Sequence, residues 1–175
     1  MKHLKPLPSL DSLKEYLKID LKSPTYLRWV KVPSPYIKLN DPAGSYAKST
    51  NKMRIKFKGS MYMLHRIIFY LHCEIDPGIN HVDHTDRNQL NNHPDNLRLA
   101  TASQNQANKK PTVNTGTSIY KGVSFFKETN RWKVTIGVNC KSIHGGYFKS
   151  EKEAALKYNE LAELHFKQFA VLNVI

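Results

Sequence analysis

HVDHTDRNQLNNHPDNLRLAT, His81 to Thr101, packs three His, four Asn and three Asp into one short segment. Asn and Asp are common in loops because their side chains close turns, so the first question is whether this is a turn or a site. The flanks carry a pattern. INHVDH reads as a strand ending at Asp83 and His84, and NLRLA, Asn96 to Ala100, reads as a second strand. Thr101 then caps a helix beginning ASQNQAN, with Gln104 at the reciprocal capping position. The predicted unit is strand, Asn-rich loop, strand, helix. Such a hairpin can bring the end of its first strand beside the start of the helix, so that Asp83 and Asn105 face one cavity with His84 beside it. Adjacent residues on a regular strand point to opposite faces. Asp83 and His84 therefore need an irregular strand end if both are to reach one phosphate.

Working outward, SLDSLKEYLKID (Ser9 to Asp20) repeats Leu at helical spacing and predicts a short amphipathic helix. TYLRWVKV (Thr25 to Val32) is β-like. KMRIKFKG (Lys52 to Gly59) alternates strictly, Met53, Ile55 and Phe57 against Lys52, Arg54, Lys56 and Lys58, which predicts a half-buried strand with a cationic outer face. MYMLHRIIFYLH (Met61 to His72) predicts a core helix that DPGIN breaks. His65 on that apolar helix reads as a packing histidine. Downstream, residues 106–118, QANKKPTVNTGTS, have no apolar period and are expected to form a flexible linker. IYKGVSFF, RWKVTIGVN and KSIHGGYF then read as three strands. Ser150 and Glu153 form a second capping box opening a helix, with a stripe of Ala155, Tyr158, Ala162 and Phe166. Three strands and a helix make a complete small α+β unit.

The 175 residues carry a formal charge of +13. Up to residue 105 there are 16 Lys+Arg against 9 Asp+Glu, and after it 11 against 5. Both regions are basic, which favours a polyanion contacted along much of the molecule. Cys73 and Cys140 are far apart and no CxxC occurs, which excludes a four-cysteine zinc site and disfavours a disulfide framework. The N-terminus has no apolar signal core and no apolar run is long enough to span a membrane. An intracellular soluble protein is expected, with no membrane partner.

The segment 81–105 suits phosphodiester hydrolysis. Mg²⁺ takes hard oxygen ligands, and the Asp83 carboxylate with the Asn105 amide oxygen supplies such a pair. A metal on the scissile phosphate neutralises charge developing there. A neutral imidazole, here His84, can take a proton from water near neutral pH. At these residues, VDHTDRNQLNN and DNLRLATASQN, the sequence resembles the HNH, or ββα-metal, endonucleases. HRIIFYLHCEIDPG from His65 resembles the lead-in helix of that family. The resemblance implies that Asp83 and Asn105 bind a divalent metal and that His84 is the general base. It implies that Asn96 braces the loop and orients His84. Thr85 and Arg87 stand where the resembling branch has Ile and Gly. A glycine there suggests a backbone conformation that Arg disfavours, and the strain is expected to pass to Asn88. His81 and His93 are expected on the surface near DNA.

The segment from Tyr120 to Asn173 resembles the Apetala-two-type DNA-binding domain. The residues carrying the likeness are Tyr120, Gly122, Val123, Trp132, Ile136, Gly146, Tyr147, Phe148, Ala154, Ala155, Tyr158 and the closing Leu172-Asn173. The resemblance implies a sheet laid in the DNA major groove. Alternation puts Trp132, Val134 and Ile136 toward the helix and Arg131, Lys133 and Thr135 toward DNA. Lys121, Lys141 and His144 lie on neighbouring strands and are expected to join them. Ser124, Phe126, Gly137 and Ser142 stand where many relatives carry polar readers, which favours phosphate over base contact.

The sequence thus predicts an α+β protein. A ββα-metal HNH nuclease domain spans 1–105 with its N-terminal extension, and a three-stranded antiparallel sheet backed by one helix spans 119–175. The expected activity is that of a metal-dependent, homing-type DNA endonuclease using Mg²⁺ and no zinc. It is expected to act as a monomer on double-stranded DNA, in the cytoplasm of a bacterial host if the gene is phage-borne. The alternative is a non-enzymatic DNA-binding regulator carrying a nuclease remnant, against which the intact set Asp83, His84, Asn96 and Asn105 argues.

Overall fold

Ser9 starts the first helix, α1 (Leu10–Tyr16), its hydroxyl accepting from the Ser12 amide at 3.4 Å. The helix stops short of the expected Asp20. Leu17–Ile19 is a strand, β1, paired antiparallel with β2 (Leu27–Trp29), Leu17 opposite Trp29. Leu13 and Leu17 both enter the core, the second through an extended pairing, and Leu21 is left 59% exposed. Helical spacing of leucines holds only as far as the core wants them from one helix face.

The computed structural model describes residues 5–109 and 117–175, and the chain divides into two units, Met1–Leu99 and Ala100–Ile175. In the first, β3 (Ser45–Ala47), β4 (Lys52–Phe57) and β5 (Ser60–Met63) form an antiparallel sheet with β4 central. The predicted alternation holds: Ile55 and Phe57 are buried while Lys56 and Lys58 are exposed. Met61–Met63, expected in a helix, are instead in β5. Lys58 and Gly59 both take positive φ (+45° and +78°), a two-residue turn whose twist suits a hairpin and returns Met61 to Lys56. Helix α2 (Leu64–Cys73) follows directly and buries Leu64, Ile67 and Ile68. Arg66, also buried, donates to the carbonyls of Asn80 and Gly78, both at 2.7 Å, and so pins the loop beyond the helix. That loop leads into β6 (His81–His84), which forms a two-stranded sheet with β7 (Leu97–Ala100).

The second unit begins with α3 (Ala102–Ala107). Thr101 accepts from the Gln104 amide at 3.2 Å and Gln104 accepts from the Thr101 amide at 2.9 Å, so the predicted capping box is formed. The sheet has the order β10 (Lys141–Phe148), β9 (Arg131–Val138), β8 (Val123–Phe126), all antiparallel. Val134 and Ile136 face α4 (Glu151–Phe166), whose Ala154, Ala155, Tyr158, Ala162 and Phe166 are all buried, and Trp132 packs at the edge of this core. The expected box at Ser150 is absent, since Ser150 is the N-cap but its side chain bonds no helix amide. Gly122, at φ +72°, lies where a Cβ would sit 2.1 Å from the Tyr158 ring. Asn173 ties the C-terminus down: its side chain bonds both backbone groups of Lys121, and its own backbone bonds the Asn159 side chain.

The expected linker begins inside structured chain. Gln106 and Ala107 belong to α3, and Ala107 and Ala100 are buried in the core that also holds Tyr158 and Phe166. The Lys121 ammonium donates to the carbonyls of Ala107 and Lys109 at 2.6 and 2.7 Å, and the Asn139 amide donates to Ser103. Residues 110–116 lie outside the described residues.

Candidate active site

Asp83 and His84 end β6 and are each only 7% exposed. Their side chains meet different neighbours. The Asp83 carboxylate accepts from Nε of Arg98 on β7 at 3.1 Å. Nε2 of His84 lies 3.0 Å from Oδ1 of Asn92, and its ring is 5.2 Å from the ring of His65 on α2. Asn92 is 1% exposed, and its Nδ2 donates to the Leu90 carbonyl at 3.5 Å. With the amide turned that way Oδ1 is the acceptor, so Nε2 of His84 carries the proton and Nδ1 is left as the lone-pair nitrogen.

The hydrogen bonds of the Asn96 side chain close the loop that the resemblance implied it braces. Oδ1 accepts from the Asp86 amide at 3.0 Å, and Nδ2 donates to Asp86 Oδ1 at 2.9 Å and to the Asn91 carbonyl at 2.8 Å. Asp86 is the hub of the turn, accepting also from the Asn88 amide and from Asn91 Nδ2. Burial by itself would raise its pKa, but the bonds from Asn91, Asn88 and Asn96 outweigh that and hold the carboxyl below its usual range. The backbone also clips the loop, Thr85 donating to the Asn96 carbonyl at 2.9 Å. The strained residue of the turn is Arg87 itself, at φ +65°, and not Asn88. The Asn88 amide is bonded by Asp86, which leaves the left-handed position one residue earlier.

His65 is a neutral neighbour. Burial, then the neighbouring imidazole of His84 and the cations Lys52 and Arg66, lower its pKa to about 3. His93 accepts from the Asp95 amide and packs edge-on against Tyr26. His81 is half-buried at the start of β6. Asn105 is half-buried on α3, in the second unit. The first unit therefore gathers Asp83, His84, Asn92, Asn96 and Arg98 in one hairpin. Sequence reasoning missed Asn92 and Asp86. The spacing in Asn91-Asn92 could have flagged a second structural amide, but a paired Asn also reads as turn chemistry.

Residues 62–107 match the family described as HNH endonuclease. Protein 3.8 of Escherichia phage T7 is 39% identical over 93 residues, covering 51% of this chain and 73% of that relative. The chain belongs to the HNH endonuclease family. An uncharacterized HNH endonuclease of Acanthamoeba polyphaga mimivirus is 40% identical over 113 residues, 64% of this chain. The match covers 57% of the mimivirus protein's length. The HNH segment begins in β5 and ends with α3, so it includes His65, the whole Asn-rich hairpin and Asn105.

On the second unit's sheet, Ser124, Phe126, Arg131, Lys133, Thr135, Ser142 and His144 share the face away from α4. Arg131 and His144 are exposed, and Lys133 and Thr135 half-buried. The Lys133 ammonium lies over the Phe126 ring at 5.9 Å, and Phe126 and His144 both contact Tyr147. Lys141 is exposed at the strand end opposite Val138. The ammonium of Lys121, also expected at DNA, donates to the carbonyls of Ala107 and Lys109.

Proposed function

We propose that this protein is a metal-dependent DNA endonuclease of the homing type, with a DNA-binding face on its second unit. The observation that carries the reading is the buried His84, its Nε2 3.0 Å from Oδ1 of Asn92, next in sequence to the buried carboxylate of Asp83 within the HNH segment. Nδ1 of His84 accepts the proton of the attacking water. Asn92 keeps the ring from rotating and His65 packs it from α2. Asn96 and Asp86 keep the intervening loop in one conformation.

Asp83 and Asn105 are both oxygen donors of the kind a hard divalent cation takes, with no Cys between them in the sequence. Mg²⁺ suits that donor set better than zinc. When bound, the metal supplies charge neutralisation at the scissile phosphate and at the leaving oxygen. Arg98 fixes the Asp83 carboxylate through one oxygen, Oδ2.

Double-stranded DNA is the proposed substrate, held by Arg131, Lys133, Thr135, Lys141 and His144 in an arrangement resembling the Apetala-two-type domain. The exposed aromatics on that face suit sugar and base contacts as well as phosphate. A bacterial host is in keeping with the phage relative, and the protein is proposed to act there as a monomer in the cytoplasm.

The test is incubation with supercoiled plasmid in Mg²⁺ or in chelator. Nicked or linear product that needs the metal is expected, and Asp83→Asn and His84→Gln should each abolish it with circular dichroism unchanged. Absence of metal-dependent cutting by the wild-type protein, or near wild-type rates from either variant at saturating Mg²⁺, would overturn the reading.

A further inference from the structure

The outer face of β4 is not used by the chemistry just described. Lys52, Arg54 and Lys56 project from it on alternate residues, about 7 Å apart along the strand, close to the spacing of successive phosphates in a nucleic-acid strand. From Ala43 to Cys73 the chain has six Lys and Arg and no Asp or Glu, so nothing within this stretch neutralises the row.

Two observations separate the row from an ordinary solvated lysine face. The first is a cavity of about 320 Å³ beside it, whose lining includes Trp29, Ile37, Asp41, Arg54, Lys56 and Met61. In its wall, Nε of Arg54 is buried and has no hydrogen-bond partner among the described residues. A buried cationic donor calls for an acceptor, and the acid in the lining, Asp41, already accepts from the Lys38 amide at 2.9 Å. The second is where the row leads. Arg54 pairs with Met63, two residues before His65, so the Lys52 end of the row runs toward His65, whose ring is 5.2 Å from that of His84.

We propose that the outer face of β4 is a phosphate track, on which Arg54 and Lys56 seat one backbone phosphate of a nucleic-acid strand at the cavity and Lys52 directs the strand toward His84. The proposal rests on the reading of the protein as a nuclease, and it adds a binding surface that the second unit does not supply. Its ligand chemistry is the phosphodiester oxyanion, which a free phosphate shares.

The experiment measures binding of a labelled DNA duplex by the full chain in chelator, where no cutting interferes, across a series of salt concentrations. The variants are Lys52→Gln/Lys56→Gln, whose side chains leave the core untouched, and separately Arg54→Gln. The log–log salt slope should become shallower by about 0.9 for each phosphate no longer neutralised, so by at least about 0.9 in the double variant, where Arg54 still holds the phosphate it shares with Lys56. An unchanged slope in the folded double variant would overturn the track while leaving the plasmid-cutting test of the nuclease reading intact. A second arm repeats the comparison in millimolar inorganic phosphate at matched ionic strength. Persistence of the slope difference supports a strand on the track, and its disappearance would mark a free-phosphate pocket and overturn it.

Discussion

Arg87 holds a left-handed backbone at φ +65° in the turn after His84, and a side chain with a Cβ costs about 1–2 kcal/mol there. Arg87→Gly should therefore raise the stability of the first unit by up to about 1 kcal/mol, the remainder being lost to glycine's freedom in the unfolded chain. A rise in the urea midpoint checks this, and a fall would mean that the guanidinium makes an interaction worth more than the strain. Asp86, one residue earlier, makes the turn sensitive to acid. Its folded pKa lies below its ordinary value of 3.8. Its contribution is thus complete above the unfolded value and lost as pH falls through the folded one. Stability should drop as pH falls below the ordinary value of 3.8 and on through the lower folded one, and Asp86→Asn should flatten that drop in acid unfolding measurements. At this scale the sequence was legible where a strand pattern fixes the position, as with the adjacent Asp83 and His84 at the end of β6. It was not legible where the same type serves two purposes. Asn92 holds a ring and Asn96 holds a backbone, and both are Asn in an Asn-rich loop.

Among elements, β8 is the one most dependent on a single residue. Gly122 precedes it at φ +72°, and an added Cβ would sit 2.1 Å from the Tyr158 ring and 2.8 Å from the Thr135 carbonyl oxygen. The Thr135 amide also donates to the Gly122 carbonyl at 2.9 Å, so the backbone cannot retreat without breaking that bond. Gly122→Ala should cost the second unit more than about 3 kcal/mol, by overpacking added to left-handed strain. A thermal scan that shows the second unit melting unchanged would refute this. Element types were readable where one period dominated, as in β4 and α4. Boundaries failed where a core claimed residues from two elements in succession. Leu17 continues the leucine spacing of α1 yet pairs with Trp29, and Met61–Met63 read as helix yet complete a hairpin that turns at Lys58-Gly59. Thr101 and Ser150 carry the same capping signature and only the first forms its box. The signature records spacing, not which way the side chains turn.

For the whole molecule, the segment matched by the HNH family ends on a helix packed into the core of the second unit. Helix α3 carries Asn105, and Ala107 on the same helix is buried in the core of the second unit, with Lys121 bonded to its carbonyl. The fragment 1–109 should therefore lose cutting outright rather than need more DNA, because α3 is left without its packing. Single-turnover assays at saturating DNA check this. A wild-type rate from the fragment would show that α3 holds its shape without the second unit.

The burial of Ala107 also sets where such proteins can be recombined. A chimera joined in the stretch 110–116 would graft a foreign partner onto a helix whose seat belongs to Phe166 and Tyr158 of the original. The exchangeable cassette runs instead from Ala100 onward, and a swap made there carries the last HNH residue with the new module. Inheritance of the second unit is then inheritance of part of the nuclease motif, and the two cannot diverge independently.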